Sequence, residues 1–383
     1  MHRTNSQSPA DGSDQSGPDT SPSSLPRAPA GFCRSKEWPP PDRERPVAAA
    51  PRRRRAGSAA LAALPARLGG DAAPTGLRPR SGGWVAGLLL LCTGWQAPAA
   101  ADSKPAPIPV ADAHLHYKWN QAEVTSPEEA VAALRANNVR LAVITGTPAE
   151  RALQLQALAP DIVVPIYGVY RQGGDWYGWQ GRTALVDEVR EALASGRYHG
   201  IGELHLIGGF AVRWNKSDVL KALLALAAEY DVPVLVHTEF SRAEPTLSIC
   251  QANPRNRLVV AHAGAALPPA EVERVLEACP NVWMDLSARD PWRFVRFPIS
   301  GDDGRLLPDW EALVLRWPGR FVIGSDAVWP VDRLDAWDRP DTGWERIGDF
   351  LDFHRRWASF LPEDVRRKVL LDNALAVFGR APE

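Results

Sequence analysis

The chain has 383 residues, 44 of them Lys or Arg and 45 Asp or Glu, for a formal net charge of −1. Hydrophobic residues make up 45% and charged residues 23%, an ordinary globular usage that excludes a disordered chain, a collagen and a coiled coil. Its 4 cysteines (Cys33, Cys92, Cys250, Cys279) are too few for a disulfide-framework miniprotein and lack zinc-finger spacing.

Charge and proline are unevenly shared. Residues 1–101 carry 13 basic against 7 acidic groups and 14 of the 35 prolines, which leaves 31 against 38 for residues 102–383. A globular part with that sign repels a phosphate backbone, so nucleic acid is not an expected partner. Residues 1–77 are rich in Pro, Ser, Ala and Arg and offer too little apolar surface to offset the entropy of ordering. They are expected to be a disordered extension, or a stretch translated from a start upstream of the true one.

Over residues 78–101, Arg78 and Arg80 precede an apolar stretch, Trp84–Trp95, and a small-residue ending at Ala99–Ala101. That is the layout of a secretory signal peptide. The apolar stretch is shorter than the about 20 residues of a spanning helix, so no stable membrane insertion is expected. Export, to a periplasm, is the expected destination. In an exported protein Cys250 and Cys279, on neighbouring crossovers, could pair.

From residue 102 onward, short β-branched runs alternate with amphipathic stretches. Strands are predicted over Ile108–His114, Val139–Thr145, Ile162–Tyr167, Gly200–Leu204, Val232–His237, Leu258–His262, Val282–Leu286 and Phe321–Gly324. Helices are predicted between them, over Pro127–Ala136, Thr183–Ala194, Lys216–Tyr230, Pro269–Ala278 and Trp310–Trp317. The alternation argues for parallel strands joined by helical crossovers, and the strand number for a closed α/β (β/α)8 TIM barrel over residues 102–383. An open doubly wound sheet is the other arrangement, but its glycine-rich phosphate fingerprint is missing after the first strand.

In a barrel the C-terminal strand ends carry the chemistry. Here the first strand ends in His114-Leu-His116, whose rings share a face because side chains alternate. The fourth ends at Glu203 with His205 two residues on, the fifth at His237, the sixth at His262, and the eighth runs into Ser325-Asp326. Any one of these is unremarkable, and Asp326 could equally cap a helix. So many imidazoles and two carboxylates in one barrel mouth would be mutually unsatisfied without a cation, and their nitrogens and oxygens are the donors that zinc-like ions take. His199 and His354 face away from the rim in this topology and are expected to be structural.

Asp112-Ala-His114-Leu-His116, Gly200-Ile-Gly-Glu203, Val-His237, Ala-His262-Ala-Gly264 and Gly324-Ser-Asp326 together resemble the amidohydrolase superfamily, in particular its amidohydrolase-related branch. The segment from Leu361 to Gly379 resembles that branch's terminal helix, and the likeness extends over residues 108–379. The resemblance implies His114, His116, His237 and Asp326 as metal ligands, with His262 either a ligand to a second metal or a polarising group. Glu203 stands where many relatives carry a modified lysine that bridges two metals, so one or two divalent ions, zinc foremost, are implied. The implied activity is hydrolysis of an ester, lactone, amide or phosphoester bond by a metal-activated water. Asp326 would shuttle the proton and His262 polarise the oxygen. A metal-dependent decarboxylase and a barrel that binds metal without turnover are the alternatives.

Tryptophans gather in loops after strands, among them Trp119, Trp176, Trp179, Trp214, Trp292 and Trp329, which suggests an aromatic-walled mouth. Arg171, Arg213, Arg289, Arg293 and Arg296 occupy the same loops and could hold an anionic group. Trp119, His205, Arg171, Arg213 and Arg289 are the candidate contacts to a small, ring-bearing, anionic organic substrate. A homo-oligomer is compatible with the same sequence.

Overall fold

Eight aliphatic runs become eight parallel strands: β1 (Val110–Lys118), β2 (Val139–Thr147), β3 (Val163–Ile166), β4 (Ile201–Leu206), β5 (Val234–Thr238), β6 (Leu258–Ala261), β7 (Val282–Asp285) and β8 (Phe321–Val322). The computed structural model describes residues 107–206, 214–293, 298–329 and 338–379. The expected extension over 1–77 and signal peptide over 78–101 lie outside the described residues.

Neighbouring strands pair in chain order, β1-β2-β3 and β4-β5-β6-β7-β8. The two arcs meet where Tyr167 N–H donates to Gly200 O at 2.8 Å and Gly202 N–H to Tyr167 O at 3.0 Å. Ala113 N–H to Ile323 O (2.9 Å) and Asp326 N–H to His114 O (2.8 Å) join β8 to β1, so the ring is closed. This is a TIM barrel, with no free sheet edge.

Inside the ring, Ala111, Ala113, Leu141, Val143, Val164, Ile166, Leu235, Val259, Ala261 and Val322 form one apolar cluster. Ala374, Val377 and Phe378, from the short helix Asn373–Phe378, plug its lower end. A second cluster lies between strands and helices and takes the alternate residues, for example Val234 and Val236 of β5. β1 breaks this alternation. Ala111 and Ala113 face the inner cluster, yet Leu115 and Tyr117 face the outer one, and the register slips between Asp112 and Leu115. A bulge of this kind re-aims side chains, and here it turns His114 and His116 from the wall to the mouth. Gly324 is required opposite it, because a Cβ there would lie 2.6 Å from His114 Cβ.

The crossover helices are α1 (Pro127–Ala136), α2 (Glu150–Leu158), α3 (Leu185–Ala194), α4 (Asp218–Glu229), α5 (Glu244–Ala252), α6 (Pro269–Ala278), α7 (Pro308–Arg316) and α8 (Ile347–Ala358). α1 is legible because Ser126 and Glu129 form a capping box around Pro127. α2 and α5 bury only two and three residues respectively (Ala152 and Leu155; Thr246, Ile249 and Cys250), too little for a clear apolar stripe. No helix among the described residues is long and apolar enough to cross a membrane.

Cys250, in α5, and Cys279, just after α6, are joined by a disulfide, with Cα atoms 6.0 Å apart and a sequence separation of 29. Closing a loop of that length is worth about 3.5 kcal/mol in the chain-entropy view. The Cys250→Ser/Cys279→Ser variant is therefore expected to unfold at lower denaturant than the parent. Equal midpoints in a guanidinium titration would contradict this.

Candidate metal centre

The re-aimed β1 places His114 Nε2, fully buried, 3.1 Å from Nε2 of the partly buried His116. β4 brings Glu203, whose Oε2 is 3.5 Å from His114 Nε2 and 3.3 Å from His116 Nε2. The turn after β8 brings Asp326, whose Oδ1 is 3.9 and 3.7 Å from the same two nitrogens. Donors held 2.0–2.1 Å from a tetrahedral zinc are separated by roughly 3.4 Å, and the separations around the two β1 imidazoles lie near that value. His114, His116 and Asp326 are mutually close enough to share one ion, as are His114, Glu203 and His262.

The other carboxylate oxygen of Glu203 faces a second group. Oε1 is 2.8 Å from His237 Nδ1 and 3.6 Å from His262 Nε2. His237 Nε2 meets Glu239 Oε1 at 3.1 Å, so both of its nitrogens face carboxylates. Glu203, His205 and His237 form a third set of donors within reach of one ion. The structure thus brings together His114, His116, Glu203, His205, His237, His262 and Asp326, but groups His237 with Glu203 and His205 and not with the β1 pair.

The charges are strongly coupled. Burial alone would drive Glu203 to its neutral form, but the imidazoles of His114, His205 and His237 hold its carboxyl well below the usual range. Asp326 is likewise lowered, against burial, by His114, His262 and His116. In return, Glu203 and Asp326 overcome burial at His114 and raise it well above a free imidazole. His237 is raised to about 9, the Glu203 charge outweighing burial, whereas burial takes His262 down to about 4 and His205 to about 3.

Ring orientation is set by the loop after β7, which contains functional residues that sequence reasoning missed. Asp285 Oδ2 accepts from His114 Nδ1 at 2.7 Å and from Ser287 Oγ at 2.5 Å. His262 Nδ1 lies 3.1 Å from Ser287 O, which can only accept. In the neutral form that a cation requires, both rings therefore carry their proton on Nδ1 and turn a bare Nε2 to the centre. The only signal for Asp285 was a carboxylate ending an apolar strand. Asp112 ties the other side: its Oδ1 accepts from Ser325 N–H (2.8 Å) and His114 N–H (3.3 Å), and burial pushes its carboxyl up to about 7.

Two buried arginines from the same loop hold the backbone of the rim. Arg289, expected at the substrate, is instead buried and donates to His262 O, Ala263 O and Leu267 O at 2.7, 3.2 and 3.4 Å. Its side chain is committed to a turn in which His262, Ala263 and Ala265 all have left-handed φ (55°, 46°, 50°), a conformation that costs energy without such support. Arg293 does the same after β8. It donates to Asp326 O (2.5 Å) and Ser325 O (2.7 Å), pairs with Asp290 at 2.6 Å, and lies 4.0 Å over the Phe350 ring. Asp326 there has a φ of 41°.

The remaining expected contacts divide. Trp119 lines a cavity beside His116, together with Trp176 and His205. Arg171 is exposed and pairs with Glu188 at 2.7 Å, in a different cleft, so it does not face the centre. Trp179 is fully buried in the outer core and not a wall of the mouth. Arg213 and Arg296 lie outside the described residues. His354, expected to be structural, is buried and donates to Gly324 O at 3.0 Å, and its pKa falls to about 4 through burial.

A sequence model for the family described as amidohydrolase matches residues 110–380. Among solved structures, the chain is similar to an amidohydrolase from Burkholderia multivorans with bound zinc (17% identity, TM-score 0.45, 71% of this chain and 99% of that one). It is also similar to a TatD homologue from Escherichia coli (16%, 0.49, 71% and 98%) and to an amidohydrolase from Bifidobacterium longum subsp. infantis (14%, 0.39, 71% and 98%). No curated protein matches.

Removing the negative partner of His114 should loosen the site. Asp285→Asn is expected to weaken zinc binding about 10- to 100-fold, the usual effect of losing such a supporting carboxylate, in a competition titration against a chelator. An unchanged affinity would show that Asp285 does not orient the ligand.

Proposed function

Since the chain belongs to the amidohydrolase family, we propose that it is a metal-dependent hydrolase whose centre is held by His114, His116, Glu203 and Asp326. The observation that carries this reading is the donor spacing, with five separations between 3.1 and 3.9 Å. A divalent cation in this donor set, zinc in our reading, supplies Lewis acidity and lowers the pKa of a water toward ~7.

The chain's own groups do the rest. Asp326 is ionised and held by its backbone at the rim, so a free oxygen of its carboxylate takes the proton from the attacking water and returns it to the leaving group. Glu203 offers one oxygen to each side, as a bridge between two donor sets would. His262, proton on Nδ1, presents a lone pair at Nε2. That suits a ligand of a second ion, and it does not suit the hydrogen-bond donor that would polarise a substrate oxygen. The scissile bond is an ester, lactone, amide or phosphoester of a small molecule. The Cys250–Cys279 bond supports export to an oxidising compartment such as the periplasm.

Chelation is expected to abolish hydrolysis across a panel of esters, lactones, amides and phosphoesters, and added zinc to restore it. Asp326→Asn should lower kcat by about 10²–10⁴-fold while His114, His116 and Glu203 keep most of the zinc, as elemental analysis would read. Near-normal turnover by Asp326→Asn would remove the aspartate from the mechanism.

A further inference from the structure

A cleft of about 300 Å³ lies between the start of α2, the segment after β3, α3 and the turn before β4. None of its lining residues belongs to the metal cluster, and its size is that of a small-ligand pocket. Tyr167 and Tyr198 stand edge to face in its wall, with ring centroids 5.3 Å apart. Tyr198 is 4% exposed, yet its hydroxyl has no hydrogen-bond partner among the described residues and is not sealed from solvent. A phenol set so deep ordinarily finds a partner, and the open space it borders is this cleft. Burial pushes both phenols up to about 12, so they keep their protons.

Glu150, Glu188 and Glu191 line the same cleft. Glu188 is committed to Arg171 at 2.7 Å and to Arg182 at 3.0 Å. Glu150 and Glu191 have no basic partner among the described residues. Glu150 opens α2, where the helix dipole favours a negative charge. Glu191 has no such support. It lies in the last turn of α3, where the dipole disfavours it, with Asp187 and Glu188 four and three residues before it on the same helix. Like charges at that spacing repel, and a cation in the cleft would relieve them. The two free carboxylates do not converge on an ion, for no set of three donors able to share a metal includes either among the described residues. Separated carboxylates beside tyrosine rings suit an organic cation, which ring faces also attract. Arg197, the lining cation without a carboxylate partner, is exposed and turns Nε to Ser195 Oγ at 3.4 Å.

We propose that this cleft binds a small organic dication, an alkyl diammonium, with one charge at Glu150 and the other at Glu191. The Tyr198 hydroxyl accepts from one of the ammonium groups. Binding here needs neither the metal nor the hydrolase activity.

The test is calorimetric titration of the full-length, zinc-loaded protein at neutral pH and low salt. The probes are 1,5-diaminopentane, its neutral and anionic counterparts 1,5-pentanediol and glutarate, and magnesium chloride. The diamine should bind once per chain and more tightly than the other three. Its Kd should rise about tenfold in Glu150→Gln and in Glu191→Gln, equivalent to one lost charge-assisted hydrogen bond each, and about fivefold in Tyr198→Phe. Arg197→Gln should tighten it. Glu363→Gln, an exposed carboxylate of the short helix Glu363–Arg367, and removal of zinc should leave it unchanged. Without ligand, Glu191→Gln should melt no lower than the parent, because it loses only repulsion. Tighter binding of glutarate or magnesium, an equal loss in Glu363→Gln, dependence on zinc, or a lower melting point in Glu191→Gln would each overturn the proposal. If Tyr198→Phe does not fold, 13C-labelled tyrosine rings in the parent decide. Signals of Tyr167 and Tyr198 should shift on addition of the diamine, and unmoved signals would overturn the assignment.

Discussion

The arrangement turns on a single buried carboxylate. Glu203 sits within 4 Å of five imidazoles drawn from β1, β4, β5 and the turn after β6. An ionised glutamate at such depth is prohibitively costly alone, and neutral imidazoles packed together leave lone pairs facing one another. Each side needs the other, and both together suit a cation. The strands are held at the spacing that keeps these groups within reach, so the ring closure and the chemistry answer to one electrostatic requirement.

Holding that cluster falls largely to one loop. The stretch from Asp285 to Arg293 touches His114 through a carboxylate, His262 through a carbonyl, the turn after β6 through Arg289 and the turn after β8 through Arg293. Three segments of the barrel mouth are therefore indexed to a single reference. Left-handed backbone at His262, Ala263, Ala265 and Asp326 would relax without the two guanidinium clamps. Rim arginines are ordinarily read as ligand contacts. Here Arg289 and Arg293 are buried cross-braces.

Sequence reading recovered what repeats locally. Strand positions follow from β-branched runs, α1 and α6 from their prolines, and the histidines gathered at the mouth from polar residues ending aliphatic strands. What it missed depends on contacts far apart in sequence. The parity change in β1 leaves no mark in Asp-Ala-His-Leu-His, and it is visible only once Leu115 packs outward against the helices. Asp285 and His114 are 171 residues apart, and Tyr170 and His205 meet only across adjacent barrel strands. The roles of Arg289 and Arg171 were misjudged for the same reason. Loop position gives their neighbourhood, but partner carbonyls and the Glu188 carboxylate decide where the charge is spent.

The helix Asn373–Phe378 supplies the floor of the bore through Ala374, Val377 and Phe378, although it follows the last strand by a whole crossover helix and more. Until that segment emerges during synthesis, the barrel has an open, greasy lower end. A nascent chain therefore cannot finish its core strand by strand, and premature termination within α8 would leave a sticky, incomplete cylinder for proteases to clear. Translation through residue 378 is in this sense the step that seals the vessel.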